Sequence, residues 1–333
     1  MSINKIFVCC PKGVITGGPE LLHQFVHSLR MKGVDAYVLY YPFDEIGETP
    51  AQYQHYNIEI GHYEQVDDDS MIILPEVATN LSVFFKKQRK AIWWLSIDNY
   101  FAPPNKDKLG VRVKHLLNVL QKKKVPIYSM NKYLHLCQSE YAMRYLANRG
   151  YEPFFLSDYL NDEHLSPLQH TQKRKQQIVY NPKKGAALTR KLVNRLPQYR
   201  FIPLANMSAN EVKKTLQESM LYIDFGHHPG KDRLPREAAM AGCCVLTGRS
   251  GSAANEIDVP IPEKYKINEF KKDFLDRSEH VIKSIMEDYS TSANDFVGYR
   301  KKISNEKEIF EQQVNSFIEL LSIKKLGLTK KAH

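Results

Sequence analysis

The chain has 333 residues, and at about 150 residues per domain this length points to roughly two domains, each large enough to bury its own core. Hydrophobic residues make up 43% and charged residues 25%, which excludes a largely disordered, collagen-like or low-complexity chain. Lysine and arginine number 47 against 37 acidic residues, a net charge of +10, so the surface attracts phosphates, nucleic acid or an anionic membrane face without choosing among them.

In chain order, short apolar runs alternate with helical periodicity, the pattern of an α/β protein whose parallel sheets are covered by helices. A strand is expected over 5–10, a loop over 11–18, a helix opening at Pro19 and closing at Gly33, and a strand over 36–39. Further strands are predicted over 71–74, 91–96 and 134–137, with helices around 80–89, 108–121 and 140–148. The stretch 161–177 (NDEHLSPLQHTQKRKQQ) is polar and aperiodic and reads as a crossing between domains. A second series follows: strand 178–180, helix 186–195, strand 200–203, helix 210–218, strand 221–225, short helix 235–241 and strand 243–247. Long helical patterns over 268–286 and 293–321 precede a basic tail, KKLGLTKKAH. The expected division is thus a first domain over 1–160, a linker over 161–177, a second domain over 178–290, and a terminal helix and tail over 291–333 that packs back on the first domain.

The opening MSINKIFVCC lacks a long apolar signal region, and no stretch approaches the roughly 18 apolar residues needed to span a bilayer, so a cytoplasmic, non-spanning chain is expected. Cys9, Cys10, Cys137, Cys243 and Cys244 form no CxxC motif and sit in strand-like runs, which fits buried thiols rather than a metal site. His227 and His228 have no third ligand at a useful spacing, so no metal is expected.

Ligands of open parallel sheets bind outside the carboxyl ends of the strands, which directs attention to three loops. The first, PKGVITGG, carries Gly17 and Gly18 into a helix N-terminus, where free N–H groups favour an anion; a tight turn explains the glycines equally well. The second, YNPKKG, places Lys183 and Lys184 beside Gly185 ahead of a helix. The third passage, DFGHHPGKDRLPREAAMAGCCVLTGRSGSAANE, packs charge and glycine into one strand-loop-helix-strand unit. With Pro235 at the first helical position, Arg233 stands just before the helix and Arg236 and Glu237 lie in its first turn. Guanidinium groups clamp phosphate oxygens, and a first-turn carboxylate accepts from a ribose diol. The plainer alternative is an Arg233–Glu237 surface pair, which leaves HHPGKD and GRSGSA unexplained.

GGPELLHQFVHSLRMKG resembles the first loop and helix of glycosyltransferases with the GT-B fold. QSEYAMRYLANRGY is similar to their last N-domain strand and helix, and KKG with LPREAAMAGCCVL to their donor half. The second half looks most like bacterial group 1 (glycogen-synthase-like) glycosyltransferases of surface-polysaccharide biosynthesis. The resemblance implies two Rossmann-like doubly wound domains facing across a cleft, with a nucleotide sugar on the second and a glycan or lipid-linked acceptor on the first. It further implies a retaining, metal-independent transfer with no tightly bound cofactor. Carried over by matching residue, Lys184 contacts the donor diphosphate and the acid before AMA holds the ribose. The familiar pattern has glutamate immediately before AMA, where this chain has Ala238 with Glu237 one residue earlier, and the upstream glutamate falls in HHPGKDR. Donor-side candidates are therefore Lys183, Lys184, Gly185, His228, Gly230, Lys231, Asp232, Arg233, Arg236, Glu237 and Ser252.

On the acceptor side, Glu76 of LPE and Asp98 of SIDNY follow apolar strands and could act as base or sugar ligand. Trp93 and Trp94 straddle one strand, so core packing is expected for at least one. The stretch 106–124 holds seven lysines and arginines against one aspartate with leucines interleaved, which suits either a solvated face or contact with an anionic membrane, here the inner face. Two other readings stay open. A sugar-nucleotide epimerase with the same fold would convert donor without acceptor, and a nucleic-acid or membrane module would show steeply salt-dependent binding; no nucleic-acid partner is expected.

Overall fold

The computed structural model describes residues 3–45, 47–101, 108–165 and 174–329, with 108–112 and 322–329 as backbone. The expected linker's 166–173 and the tail's 330–333 lie outside the described residues. Two compact units result: Met1–Asp158 with Glu308–His333, and Tyr159–Lys307.

Unit 1 holds strands β1 (Lys5–Pro11), β2 (Ala36–Tyr41), β3 (Ser70–Pro75), β4 (Arg89–Trp94), β5 (Leu134–Cys137) and β6 (Phe154–Phe155). They form one parallel sheet in the order β2-β1-β3-β4-β5-β6. Helices α1 (Gly17–Met31), α2 (Ile97–Phe101), α3 (Lys108–Leu120) and α4 (Glu140–Ala147) connect them. Unit 2 holds β7 (Lys175–Tyr180), β8 (Arg200–Pro203), β9 (Ser219–Asp224) and β10 (Cys244–Thr247), parallel in the order β10-β9-β7-β8. Its helices are α5 (Ala186–Arg195), α6 (Ala209–Glu218), α7 (Arg233–Met240), α8 (Phe274–Glu287), α9 (Tyr289–Asn294) and α10 (Val297–Ser304), and α11 (Glu306–Thr329) begins at its edge. In each sheet the first strand lies between the second and the third, so the connections reverse direction at β1/β3 and at β7/β9, where doubly wound sheets open a crevice.

The continuous apolar runs follow from burial on both faces, as parallel sheets require. β3 is buried at every residue, and β1 from Ile6 to Cys10. All five cysteines are free and buried, and burial raises their thiols, those of Cys243 and Cys244 to about 12. Trp93 and Trp94 are both fully buried; the Trp93 indole donates to Leu156 O at 3.1 Å and that of Trp94 to His135 Nδ1 at 3.0 Å. Phe25 of α1 meets Trp93 at 5.0 Å and Phe317 of α11 at 5.5 Å between ring centroids.

Several expected elements move. The helix expected over 80–89 is a kinked series of 3-10 turns over Glu76–Phe84, non-helical at Ala78. β4 claims Arg89 and Lys90, because pairing with β3 outweighs the polarity of those two residues. The pattern at 268–286 becomes helical only at Phe274, since Asn268 holds a turn by accepting from Phe270 N at 3.0 Å. The stretch 293–321 is three helices, and the first break lies at Asp295, whose carboxylate is drawn to Tyr265 and Lys264, both at 2.7 Å. α7 starts at Arg233, two residues early, because the first-turn N–H groups have no partner to lose and Pro235 is tolerated there.

Phe25 joins α1, β4 and α11 at one point of the unit 1 core. Phe25→Ala is expected to destabilise unit 1 by about 3–5 kcal/mol, read as a lowered denaturant midpoint.

Candidate functional site

The reversal at β7/β9 brings two loops to one place. The loop 181–185 leaves β7 and starts α5, with Asn181 Oδ1 accepting from Lys183 N at 3.0 Å. Gly185 stands at the N-cap with φ +59°, a left-handed conformation that disfavours any side chain. A Cβ there would also lie 2.7 Å from the Phe225 carbonyl carbon and 2.8 Å from Gly226 N. The backbone after β9 therefore passes directly under Gly185, and a Cβ on Gly226 would collide with Lys184. This close approach sets Lys184 beside the loop 226–232.

There Lys184 Nζ pairs with Asp232 Oδ2. On its other side Asp232 Oδ2 lies 3.0 Å from Nδ1 of His228, and His228 Nε2 lies 3.6 Å from Asp224 Oδ1. Neither contact meets the angular requirement of a hydrogen bond, and both stand as close charged contacts. His228 is fully buried and Asp224 nearly so. Burial alone would lower the His228 imidazole, but the Asp224 and Asp232 carboxylates raise it to about 9. Burial likewise opposes ionisation of Asp232, yet His228 and Lys184 hold it at about 2, and Asp224 is lowered by His228 in the same way. Asp224 is braced further by Gly226 N and the Tyr222 hydroxyl, each donating at 3.0 Å. Two carboxylates and two cations thus balance near neutral pH.

Asp224, His228 and Asp232 also form a grouping of metal-ligand chemistry, their ligand atoms within 4.8 Å of one another. Their convergence corrects the sequence expectation that His228 has no further ligands at a useful spacing, while Lys184 pairs with Asp232 in the same cluster.

The remaining donor-side candidates surround this cluster. His228 N donates to Ser250 O at 3.2 Å and Ser252 N returns to His228 O at 2.9 Å, while Ser252 Oγ donates to Gly230 O at 2.5 Å, so the loops after β9 and β10 are sewn together. Lys183 is exposed. Arg233 Nε lies 3.5 Å from Glu237 Oε1, the i, i+4 pair, and His164 Nε2 is 3.6 Å from the same oxygen. Arg236 is 1% exposed, its Nη1 donating to Glu306 Oε2 at 2.7 Å, and Lys231 Nζ lies 2.9 Å from Glu306 Oε1. Both cations therefore tie α7 and its leading loop to the start of α11. With Asp232 at the N-cap, Arg236 and Glu237 sit beyond the first turn in which the sequence pattern placed them. Asp224, His164 and Glu306 are partners that the sequence reading did not single out. An aspartate closing an apolar strand before glycine was the available signal for Asp224.

In unit 1, Gly17 and Gly18 open α1 half-exposed, but the first turn already holds the buried carboxylate of Glu20, which accepts from Tyr56 OH at 3.1 Å. Glu76 is buried, and its Oε2 accepts from Leu95 N at 3.1 Å, binding the ends of β3 and β4 together. Burial pushes its carboxyl up against the opposing Leu95 N–H and Lys124 charge. Lys124 turns inward and donates to the carbonyls of Glu76 at 2.9 Å and Val77 at 2.8 Å, and burial lowers it. Asp98 in α2 is half-buried and accepts from Tyr141 OH at 3.3 Å.

No family model and no curated protein matches the chain. Solved structures do. Anabaena HepE in complex with UDP superposes with a TM-score of 0.60 at 11% identity, covering 96% of this chain and all of that one. Sucrose-phosphate synthase from Thermosynechococcus elongatus gives 0.64 at 10% identity, covering 96% and 100%. The chain has the GT-B fold. A glycosyltransferase from Rickettsia africae is similar at 0.54 and 12% identity over 98% of both chains, as expected for a GT-B architecture that outlasts its sequence.

His228 binds its proton more tightly folded than unfolded, so its contribution to stability is full below about pH 6.5 and is lost as pH rises through about 9. His228→Gln is expected to remove most of that slope, flattening the fall in denaturation midpoint between pH 6.5 and 9. Asp232 runs the other way, its contribution present above about pH 4 and lost as pH falls through about 2.

Proposed function

We propose that the chain is a glycosyltransferase that moves a sugar from a nucleotide-sugar donor to a glycan or lipid-linked acceptor in surface-polysaccharide assembly. The observation that carries the reading is the convergence of Lys184, Asp232 and the 226–232 loop at the β7/β9 reversal, the place where doubly wound folds bind nucleotides. HepE, of the same fold, is described in complex with UDP and with UDP-glucose, which makes a UDP-sugar the first donor to test.

In this mechanism the leaving diphosphate is stabilised by fixed positive charge rather than by a metal. Lys184 supplies that charge, and Asp232 holds its ammonium in place before the donor arrives, so little reorganisation accompanies departure. Arg233 adds a second cation at the start of α7, where the helix N-terminus favours phosphate, and Glu237 accepts from the ribose hydroxyls. His228 stays buried as a positioning charge, keeping Asp224 and Asp232 ionised. Arg236 and Lys231 anchor the loop through Glu306. On the acceptor side the half-buried Asp98 is the carboxylate proposed to meet a sugar hydroxyl, whereas Glu76 fixes the ends of β3 and β4 beside it.

Lys184→Ala and Arg233→Ala are expected to lower transfer from a UDP-sugar about 100- to 1000-fold with unchanged circular dichroism. Equal rates in parent and both variants would sink the diphosphate site. Transfer is expected to persist in EDTA.

No helix among the described residues is long and apolar enough to cross a membrane. Contact with an anionic membrane face is proposed instead through α3, where Val113, Leu116, Leu117 and Leu120 form an exposed apolar stripe at helical spacing, followed by exposed Lys122 and Lys123. Lys124 does not belong to that face, since it is committed to Glu76 and Val77. Lys122→Gln with Lys123→Gln is expected to weaken sedimentation with anionic vesicles by about 1 kcal/mol per charge.

A further inference from the structure

A second site stands at the opposite edge of the unit 1 sheet. β3, β4 and β5 begin there, with Met71 paired to Arg89 and Ala91 to Leu134. A cavity of about 370 Å³ opens at these strand starts, lined by Lys86, Arg89, Lys90, Lys132 and Tyr133, with Leu321 of α11 among its apolar walls. That volume falls within the range of small-molecule pockets, roughly 300–1,000 Å³. Four cations and no carboxylate line it. The six residues of β4, at about 3.3 Å each, separate this edge from Leu95 and Asp98 at the other end.

The charges are not compensated internally. Lys86, Arg89 and Lys132 form no ion pair among the described residues, and Arg89 Nη1 is buried without a hydrogen-bond partner. Lys90 Nζ is held by neutral carbonyls, those of Gln88 at 2.9 Å and Phe85, and lies 5.4 Å from the Tyr133 ring centroid. Burial lowers its pKa, with no acid alongside to restore it. A cavity lined by four cations and no carboxylate is the complement of an oxyanion. The Tyr133 ring with Leu134 and Leu321 offers a wall for an uncharged portion.

We propose that this cavity binds a phosphate-bearing small ligand, its oxygens on Arg89 and Lys132 and its organic part against Tyr133 and Leu321. The site lies within unit 1 and does not depend on the donor reading.

Calorimetric titration of the full chain with inorganic pyrophosphate tests it. Measured in the Lys184→Gln background, which takes away the donor-side diphosphate contact, saturable binding is expected that weakens about tenfold or more on adding Arg89→Gln, or Lys86→Gln with Lys132→Gln. Lys86 and Lys132 are exposed, so the double variant stays readable even if Arg89→Gln fails to fold. No saturable binding by the parent up to about 10 mM, or binding lost in Lys184→Gln and kept in the double variant, overturns the proposal. Phosphatidic acid vesicles separate the sources. Pyrophosphate binding together with vesicle sedimentation that the double variant loses assigns the phosphate to a lipid headgroup, and pyrophosphate binding without sedimentation assigns it to a free metabolite. Sedimentation lost in the double variant, with no pyrophosphate binding by the parent, overturns it.

Discussion

Where the Gly185 α carbon passes over the Phe225–Gly226 peptide, two loops from adjacent strands approach more closely than any side chain would permit. That contact depends on the strand order. Because β7 and β9 are neighbours although β8 intervenes in the chain, their carboxyl ends lie side by side and their loops must share one space. Glycine at both positions lets them do so, and Lys184 is delivered to Asp232 as a consequence.

Once the loops are that close, electrostatics decides the rest. A buried imidazole between two carboxylates is stable only as a cation, and two buried carboxylates are stable only with cations beside them. His228 and Lys184 meet both conditions at once. The same logic explains Arg236, whose buried charge is met by Glu306 and whose role is to hold the loop. By contrast the cations at the opposite edge of unit 1 meet no carboxylate among the described residues, which is why that edge stands out.

The two sheets carry the same relative strand order with no repeat in sequence. Similarity to GT-B structures at 10–12% identity has the same cause: doubly wound topology tolerates nearly any apolar residue in its strands, provided that both faces are covered. What varies is the loops. In HHPGKDR, His228 and Asp232 form an internal charge balance with Lys184 at the strand ends.

The sequence by itself determined the α/β class, the alternation in both halves and where the strand-end loops fall, because apolar period and glycine-proline punctuation are local signals. Strands such as β5 and β8 were legible to the residue, since each is a short run bounded by polar turns. β4 was displaced because its first two residues are charged, and only pairing with β3 reveals them as strand. The break at Asp295 was likewise settled by partners distant in the chain, Tyr265 and Lys264. For the site, Lys184, Asp232 and His228 could be named from the loops, but Asp224 as their counter-charge, Arg236 as a buried strut and Lys124 as an inward-facing lysine could not. Charge partners across tens of residues are fixed by sheet topology and burial, and a sequence carries no distance between them.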